Sequence, residues 1–312
     1  MRVLYIAVLF FGSTLGGKAP CIELNDGNKM PVVALGTGRG TASESAPVDE
    51  VRLAVYWAIE AGYRHIDTAA IYFDEPQVGQ AIADAIANNL VTREELFITT
   101  KLWNDKHRKE QVVPALQESL ENLGLDYVDL YLIHFPKAEK ADGSPDDIDY
   151  LETWQGMEEA KELGLARSIG VSNFNASQID RLVANCKIWP AVNEIEVNPT
   201  LTQEELVGHC QELAIAVMAY SPFGFLVSRK IPNAPPPRVD DPVLVGMANK
   251  YGKTTSQIVL RYLIERGLTP IPKSTNRDRI AQNIDLFDFS LTEDEVNEIS
   301  KFNKNIRVIE ID

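Results

Sequence analysis

Four polar residues follow apolar, β-branched runs of the sequence. Asp67 and Tyr72 lie in "RHIDTAAIY" (64–72), Lys101 ends "LFITTK" (96–101) and His134 ends "VDLYLIH" (128–134). A lone Asp in such a position usually caps a helix or closes a turn, and a lone Tyr is usually an amphipathic rim residue. A lysine that ends an apolar strand, however, needs a partner. These residues either cap the ends of separate strands or belong to one shared active site.

Several common chemistries do not fit this sequence. None of the four histidines has metal-ligand spacing with Cys or carboxylate residues, so we expect no metal. No G-x-S-x-G elbow is present, and "GTGRGT" (36–41) departs from the G-x-G-x-x-G pattern at Thr41. Glu194 and Glu196 lie two apart on one predicted strand, so they cannot flank a bond as a glycosidase pair does.

The elements that must position these residues alternate along the chain. Eight apolar runs are predicted strands: 31–35, 63–67, 96–101, 128–134, 166–172, 191–197, 215–220 and 268–272. Helical periods lie at 47–62, 75–88, 109–124, 149–164, 202–213 and 241–267. Short loops between alternating strands and helices predict parallel strands with right-handed crossovers. Eight such units in about 290 residues indicate a single-domain (β/α)₈ TIM barrel rather than a doubly wound sheet.

Local signals predict how some of the helices begin and end. Pro114 either kinks the third helix or marks its true first turn. Gly164 resembles a C-cap, and Thr202 begins a Thr-x-x-Glu capping box. We expect 241–267 to form two helices, broken near Gly252.

Polar residues gather where the predicted strands end. Besides the first four, these are Ser172, Asn173, Glu194, Glu196, Tyr220, Ser221, Lys273, Ser274 and Arg279. In a (β/α)₈ barrel the carboxyl ends of the strands form the active-site face. We therefore interpret Asp67, Tyr72, Lys101 and His134 as parts of one site.

Bulk charge limits the classes of partner. The 312 residues carry a formal net charge of −15. Nucleic acid and anionic membranes both need a basic protein surface, so we expect neither as a partner. Three cysteines are too few for a disulfide scaffold. A small-molecule substrate is the remaining class of partner, and no dimerisation motif argues against a monomer.

The N-terminus has the pattern of a secretory signal peptide. Arg2 is followed by an apolar run, Val3 to Phe11, and then by small residues. The run is too short to span a bilayer. We expect removal of residues 1–17, secretion, and a mature domain of 18–312. The alternative is a retained, buried N-terminal strand and a cytoplasmic protein. Asn175 begins a glycosylation acceptor pattern, which is common by chance.

Six segments together resemble the aldo-keto reductases. They are "GYRHIDTAAIYFDE", "TTKLWN", "DLYLIHFP", "SIGVSNFN", "AYSPFG" and "IPKSTNRDRIAQN", in family order, and the resemblance extends from about Ile22 to Arg307. Within the family, the sequence is most similar to insect members, especially lepidopteran 3-dehydroecdysone 3β-reductases. The resemblance implies NADPH-dependent reduction of aldehydes and ketones, with 3-dehydroecdysone as one expected substrate.

The family's catalytic tetrad falls on the four residues named first. The resemblance implies that Tyr72 gives a proton to the carbonyl oxygen. A nearby cation lowers the pKa of a phenol, so we expect Lys101 to lower the pKa of Tyr72 and Asp67 to hold Lys101. We expect His134 to orient the substrate oxygen. The predicted substrate pocket is lined by Ile71, Trp103 and Phe135.

Cofactor contacts are implied by the same resemblance. Tyr220 is expected to stack on the nicotinamide, and Ser172 and Asn173 to bind its carboxamide. Lys273, Ser274 and Arg279 match the clamp for the 2′-phosphate, which favours NADPH/NADP⁺ over NADH. The remaining expected contacts are Gly36, Thr37, Glu194, Ser221, Gln282 and Asn283.

The sequence departs from the family pattern in two places. Glu194 stands where the family usually has Gln, and a carboxylate only accepts hydrogen bonds. We expect its negative charge to favour the oxidised, positive nicotinamide. The family usually continues beyond "NKNIRVIEID", so the pocket is either more open or walled by Trp103, Phe135 and the loop after the seventh strand. These departures keep open an alternative function, a catalytically weak nicotinamide-binding protein with the same fold.

Overall fold

A parallel sheet of eight strands forms the centre of the protein. The computed structural model describes residues 16–38, 47–227 and 234–309. The strands are β1 (Leu35–Gly36), β2 (His65–Asp67), β3 (Phe97–Leu102), β4 (Val128–Ile133), β5 (Ala166–Ser172), β6 (Val192–Glu196), β7 (Ala216–Tyr220) and β8 (Leu268–Pro270). Each strand pairs in parallel with the next one along the chain. The predicted sheet order is therefore confirmed.

Hydrogen bonds also connect the first strand to the last. The N–H groups of Ala34 and Gly36 donate to the carbonyl oxygens of Pro270 and Pro272, both at 3.1 Å. These contacts join the two ends of the sheet, which is consistent with a (β/α)₈ barrel. The signal-peptide prediction for residues 1–17 lies almost entirely outside the described residues.

The predicted first strand, 31–35, is wrong in its bounds. Lys29–Pro31 instead pairs with Cys21–Glu23 in an antiparallel hairpin, and only Leu35–Gly36 pairs within the central sheet. The apolar run is divided between two sheets. The hydrophobic pattern indicates which residues are buried but not which strand they pair with, so it could not predict this division.

One or two helices lie between consecutive strands, and two more follow the last strand. They are α1 (Glu50–Ala61), α2 (Glu75–Ala87), α3 (Lys109–Leu123), α4 (Tyr150–Glu162), α5 (Ala176–Val183), α6 (Glu204–Glu212), α7 (Pro242–Tyr251), α8 (Thr255–Glu265), α9 (Arg277–Ile284) and α10 (Glu293–Ser300). The break near Gly252 is confirmed, and this residue has the left-handed φ of 66° that glycine favours. Three of the helices, α5, α9 and α10, were not expected from the apolar periodicity.

The structure tests two of the local signals. Helix α3 begins at Lys109 and continues through Pro114, its sixth residue, so the proline does not mark the first turn. The capping box at Thr202 is wrong, because α6 is preceded by Gln203 with φ 47° and no side-chain cap. The N–H of Thr202 instead donates to Asn303 Oδ1 at 3.2 Å, so a long-range contact replaces the local cap.

The hairpin covers the amino ends of the strands. Its Leu24 and Met30 pack with side chains inside the sheet, including Leu130 and Met218. Asn25 Nδ2 donates to the carbonyl oxygen of Pro190, just before β6. The opposite, carboxyl face is left for the functional site. Among the described residues, no helix is both long and apolar enough to cross a membrane.

Candidate active site

The predicted catalytic residues meet at the carboxyl ends of the strands. Asp67 is the last residue of β2, Lys101 lies next to the end of β3, and His134 directly follows β4. Tyr72 lies in a short 3₁₀ turn, Ala70–Tyr72, after β2. Parallel strands bring these side chains together because all their carboxyl ends face one side.

Lys101 is a fully buried ammonium with three oxygen partners close by. Its Nζ lies 2.8 Å and 2.9 Å from the two carboxylate oxygens of Asp67, and 3.1 Å from the carbonyl oxygen of Thr68. Glu194 Oε1 is 3.3 Å away. Burial alone lowers the pKa of Lys101, but the two carboxylates outweigh it and raise the pKa above its ordinary value. Lys101 is therefore charged.

Tyr72 lies beside this cation. Lys101 Nζ is 5.2 Å from the centre of its ring. Burial raises the pKa of Tyr72, Lys101 lowers it, and Asp67 and Glu194 raise it again. The expected net lowering of the Tyr72 pKa is wrong in this structure. Burial destabilises the phenolate by more than one partly neutralised lysine stabilises it. The contribution of Lys101 nevertheless has the expected sign.

Gly38 allows the backbone to approach the phenol closely. A Cβ atom at this position would lie 2.9 Å from Tyr72 Cζ. Any side chain there would displace the ring or the loop.

His134 packs among aromatic rings at the same face. Its ring centre is 5.7 Å from that of Tyr72 and 5.2 Å from that of Trp103, both edge-on. Burial, with Lys101 adding to it, places the pKa of His134 well below its ordinary value. The imidazole is therefore neutral near pH 7 and has one N–H to donate. Its buried Nδ1 has no hydrogen-bond partner within the described part of the chain.

Glu194 is a second carboxyl group beside Lys101. Its Oε2 is buried and has no hydrogen-bond partner in the described ranges. Burial raises the pKa of Glu194 well above its usual range, and Asp67 adds to the effect. The expectation of a fixed negative charge therefore needs correction, since its charge depends on pH.

A chain of hydrogen bonds links the rim residues of β5 and β7. Asn173 Nδ2 donates to the carbonyl oxygen of His134 at 3.0 Å, and Tyr220 donates its hydroxyl to Asn173 Oδ1 at 2.9 Å. Ser172 Oγ donates to the carbonyl oxygen of Glu194 at 2.8 Å. These contacts hold three predicted cofactor residues in one polar wall.

A cavity of about 430 Å³ opens above these side chains, a size in the range of small-molecule sites. Thirteen predicted residues line it: Gly36, Asp67, Ile71, Tyr72, Trp103, His134, Phe135, Ser172, Asn173, Glu194, Tyr220, Ser221 and Lys273. Six others were not predicted by number: Gly38, Pro222, Phe223, Val227, Ile271 and Ile309. Three of them, Pro222, Phe223 and Val227, belong to the loop after the seventh strand, which was expected as a pocket wall. Pro222 and Phe223 belong to the quoted segment "AYSPFG", which was a usable signal. No local sequence pattern indicates that Ile309 lines the cavity. Its position adds the C-terminal segment to the expected pocket wall.

Other predicted residues lie outside this cavity. The N–H of Thr37 donates to the carbonyl oxygen of Asp67 at 3.0 Å. Ser274 precedes α9, which carries Arg279, Gln282 and Asn283. No group of three or more potential metal ligands occurs among the described residues.

Comparisons with known proteins identify the family of this chain. Residues 32–304 match the sequence profile of the Aldo/keto reductase family. The silkworm Bombyx mori protein "Aldo-keto reductase AKR2E4" is 75% identical over 294 residues, which cover 94% of this chain and 96% of the relative. Its crystal structure in complex with NADP has a TM-score of 0.92, with 94% and 95% of the two chains covered. The predicted resemblance to lepidopteran members is confirmed.

More distant relatives cover nearly the same length. Silkworm AKR2E5, solved with NADPH, is 43% identical with a TM-score of 0.92, covering 94% of this chain and 90% of the other. Human "Aldo-keto reductase family 1 member A1" is 41% identical over 303 residues, 93% of this chain and 91% of the relative. On its profile match, its relatives and its fold, this chain belongs to the aldo/keto reductase family of oxidoreductases.

Proposed function

We propose that this protein uses NADPH to reduce aldehydes and ketones to alcohols. The observation that carries the proposal is the buried Lys101–Asp67 ion pair, 2.8 Å long, beside a phenol and a neutral imidazole that face one cavity. The crystal structures of two relatives with NADP or NADPH support the cofactor.

The side chains supply the proton part of this reaction. NADPH, when bound, provides the hydride from nicotinamide C4 to the carbonyl carbon. Tyr72 gives its hydroxyl proton to the carbonyl oxygen, and Lys101 stabilises the phenolate that remains. His134 donates an N–H to the same oxygen and orients it. Asp67 keeps Lys101 charged and in place.

The rim residues are proposed to hold the cofactor. In this proposal Tyr220 stacks on the nicotinamide, and its carboxamide forms hydrogen bonds with Ser172, Asn173 and Glu194. Lys273 and the first turn of α9, which begins at Arg277, provide positive potential for the 2′-phosphate. The proposed remaining contacts are Gly36, Thr37, Ser221, Ser274, Arg279, Gln282 and Asn283.

The proposed substrates extend to bulky ketones, with 3-dehydroecdysone as the first candidate. Trp103, Phe135, Phe223 and Ile309 give the cavity a largely apolar wall, as expected for a fused-ring ketone. The proposed working unit is one barrel domain, residues 18–312, acting as a monomer.

Replacement of Tyr72 by Phe tests the proposed reaction. The loss of NADPH absorbance is followed with 4-nitrobenzaldehyde and 3-dehydroecdysone, with NADH as a comparison. We expect Tyr72→Phe to lower kcat at least about a hundredfold, since it removes the proton donor, and to leave NADPH binding within about twofold. Tyr56→Phe is the matched control, because Tyr56 lies on α1 away from the cavity.

A catalytically weak nicotinamide-binding protein is the alternative. The specific observation in its favour is Glu194 beside Lys101, where a second carboxyl changes the charge balance. No turnover in the native protein, combined with NADPH quenching of its Trp fluorescence, would favour this alternative. Equal activity of Tyr72→Phe and the native protein would overturn the proposed proton donor.

A further inference from the structure

Glu196 is a buried carboxylate that faces the C-terminal segment of the chain. It is the last residue of β6, two residues after Glu194, and it is fully buried. Its Oε1 accepts the backbone N–H of Val308 at 2.7 Å, and its Oε2 accepts that of Ile309 at 3.0 Å. Hydrogen bonds to an ionised acceptor are about twice as strong as neutral ones.

Neighbours of Glu196 extend the same attachment. Asn198 Nδ2 donates to Glu196 Oε1 at 3.0 Å, and Asn198 Oδ1 accepts from the N–H of Thr200 at 3.0 Å. The carbonyl oxygen of Thr200 in turn accepts the N–H groups of Lys304 and Ile306. The end of β6 therefore holds the C-terminal segment, 303–309, through backbone hydrogen bonds.

Hydrophobic burial contributes little to this segment. Residues 304–307 are exposed, and Val308 and Ile309 are only partly buried. Ile309 is nevertheless part of the cavity wall. Since burial of apolar surface is the usual source of stability, the position of Ile309 depends chiefly on the hydrogen bonds to Glu196.

We propose that Glu196 is a positioning residue that sets substrate size: its carboxylate fixes Ile309 against the cavity, and a bulky ketone binds against that wall. This inference rests on the proposed carbonyl reduction. A small aldehyde that reacts close to Tyr72 and His134 does not need the wall. The selectivity between large and small substrates therefore depends on Glu196, although it does not touch the reacting atoms and is not itself a lining residue of the cavity.

Glu196→Gln is the main test. The amide keeps one acceptor oxygen but presents an NH₂ group to one of the two N–H donors, so one hydrogen bond is lost. We expect backbone hydrogen exchange at Val308 and Ile309 to become at least about tenfold faster. We expect kcat/KM for 3-dehydroecdysone to fall about tenfold, mainly through KM, since the wall contributes to binding. Values for 4-nitrobenzaldehyde and the Kd of NADPH should stay within about twofold.

Glu158→Gln is the matched control. Glu158 is also buried, and its Oε1 accepts the backbone N–H groups of Lys187 and Ile188 at 2.7 Å and 2.9 Å, but it does not line the cavity. We expect this variant to leave the ratio of ketone to aldehyde activity unchanged. Equal loss of both activities in Glu196→Gln would overturn the inference, as would unchanged exchange at Val308 and Ile309.

A second variant tests the same inference in case Glu196→Gln folds poorly. Val308→Pro removes the backbone N–H that donates to Glu196 Oε1. The preceding residues, 304–307, are exposed. This variant should reproduce the selective loss of ketone binding, and full retention of ketone binding would reject the inference. Failure of the native protein to reduce any carbonyl would reject the proposed function, whereas the exchange experiment would still decide whether Glu196 holds the segment.

Discussion

At the scale of single residues, the site is a balance of charges around one ammonium group. Lys101 lies between Asp67 and Glu194, and both carboxyls are within 3.3 Å of its Nζ. Burial disfavours the charged form of both Lys101 and His134, and it lowers the pKa of His134. The pKa of Lys101 is nevertheless raised, because the nearby carboxyl groups outweigh burial. The lysine stays positive because it is paired, and the histidine stays neutral because it is not.

The charge of Glu194 is expected to make cofactor preference depend on pH. Its pKa is raised by burial and by Asp67, while Lys101 lowers it, and Tyr72 lies in the same cluster. As pH rises, Glu194 loses its proton, and the carboxylate attracts the positive ring of NADP⁺. We expect the Kd ratio of NADP⁺ to NADPH to fall about tenfold as pH rises through the titration of Glu194, or about 1.4 kcal/mol.

Glu194→Gln should remove this dependence, because an amide has no proton to lose on titration. Fluorescence titrations with each nucleotide at four pH values would measure both ratios, and Glu158→Gln would again be the control. The same slope in the native protein and in Glu194→Gln would show that another group is responsible.

At the scale of elements, close packing between helices depends on glycine. Gly79 lies on the buried face of α2, and a Cβ there would overlap the carbonyl oxygen of Leu123 at the end of α3. We expect Gly79→Ala to destabilise the protein by about 2 kcal/mol, because backbone atoms must move to accept the methyl group. Urea unfolding followed by circular dichroism would measure the difference.

Gly208 offers the matched comparison on α6. A Cβ at Gly208 would meet no atom within 4 Å, so Gly208→Ala should stabilise the protein by up to about 1 kcal/mol through helix propensity alone. Equal effects of the two substitutions would mean that packing of α2 against α3 is looser than the structure indicates.

At the scale of the whole molecule, we propose that the chain is secreted after loss of residues 1–17. The backbone N–H of Lys18 donates to the carbonyl oxygen of Gly62 at 3.0 Å, so the fold holds the chain at this residue. A new terminal amine at Lys18 can still donate to the same oxygen.

Expression of the full chain in insect cells would test secretion. We expect the protein in the medium to begin at Gly17 or Lys18 by N-terminal sequencing, and deletion of 1–17 to retain it inside the cells. An intact N-terminus on intracellular protein would instead support the cytoplasmic alternative.

Much of the architecture follows from the sequence by itself. The parallel order of the sheet and the positions of Asp67, Lys101 and His134 at strand ends could be predicted, because apolar periodicity and its interruptions are local properties. The bounds of β1 and the start of α6 could not, since Lys29–Pro31 and Thr202 have partners elsewhere in the chain.

The tertiary structure alone decided how the charges meet and what closes the pocket. Glu194 and Lys101 are 93 positions apart (194 − 101) yet form an ion pair, and Glu196 receives the N–H of a residue 112 positions away. No local pattern encodes such contacts, because hydrogen bonds and Coulomb interactions depend on distances in space. The sequence determined which groups stand at the strand ends, and folding determined the net pKa of Tyr72 and placed Ile309 in the cavity wall.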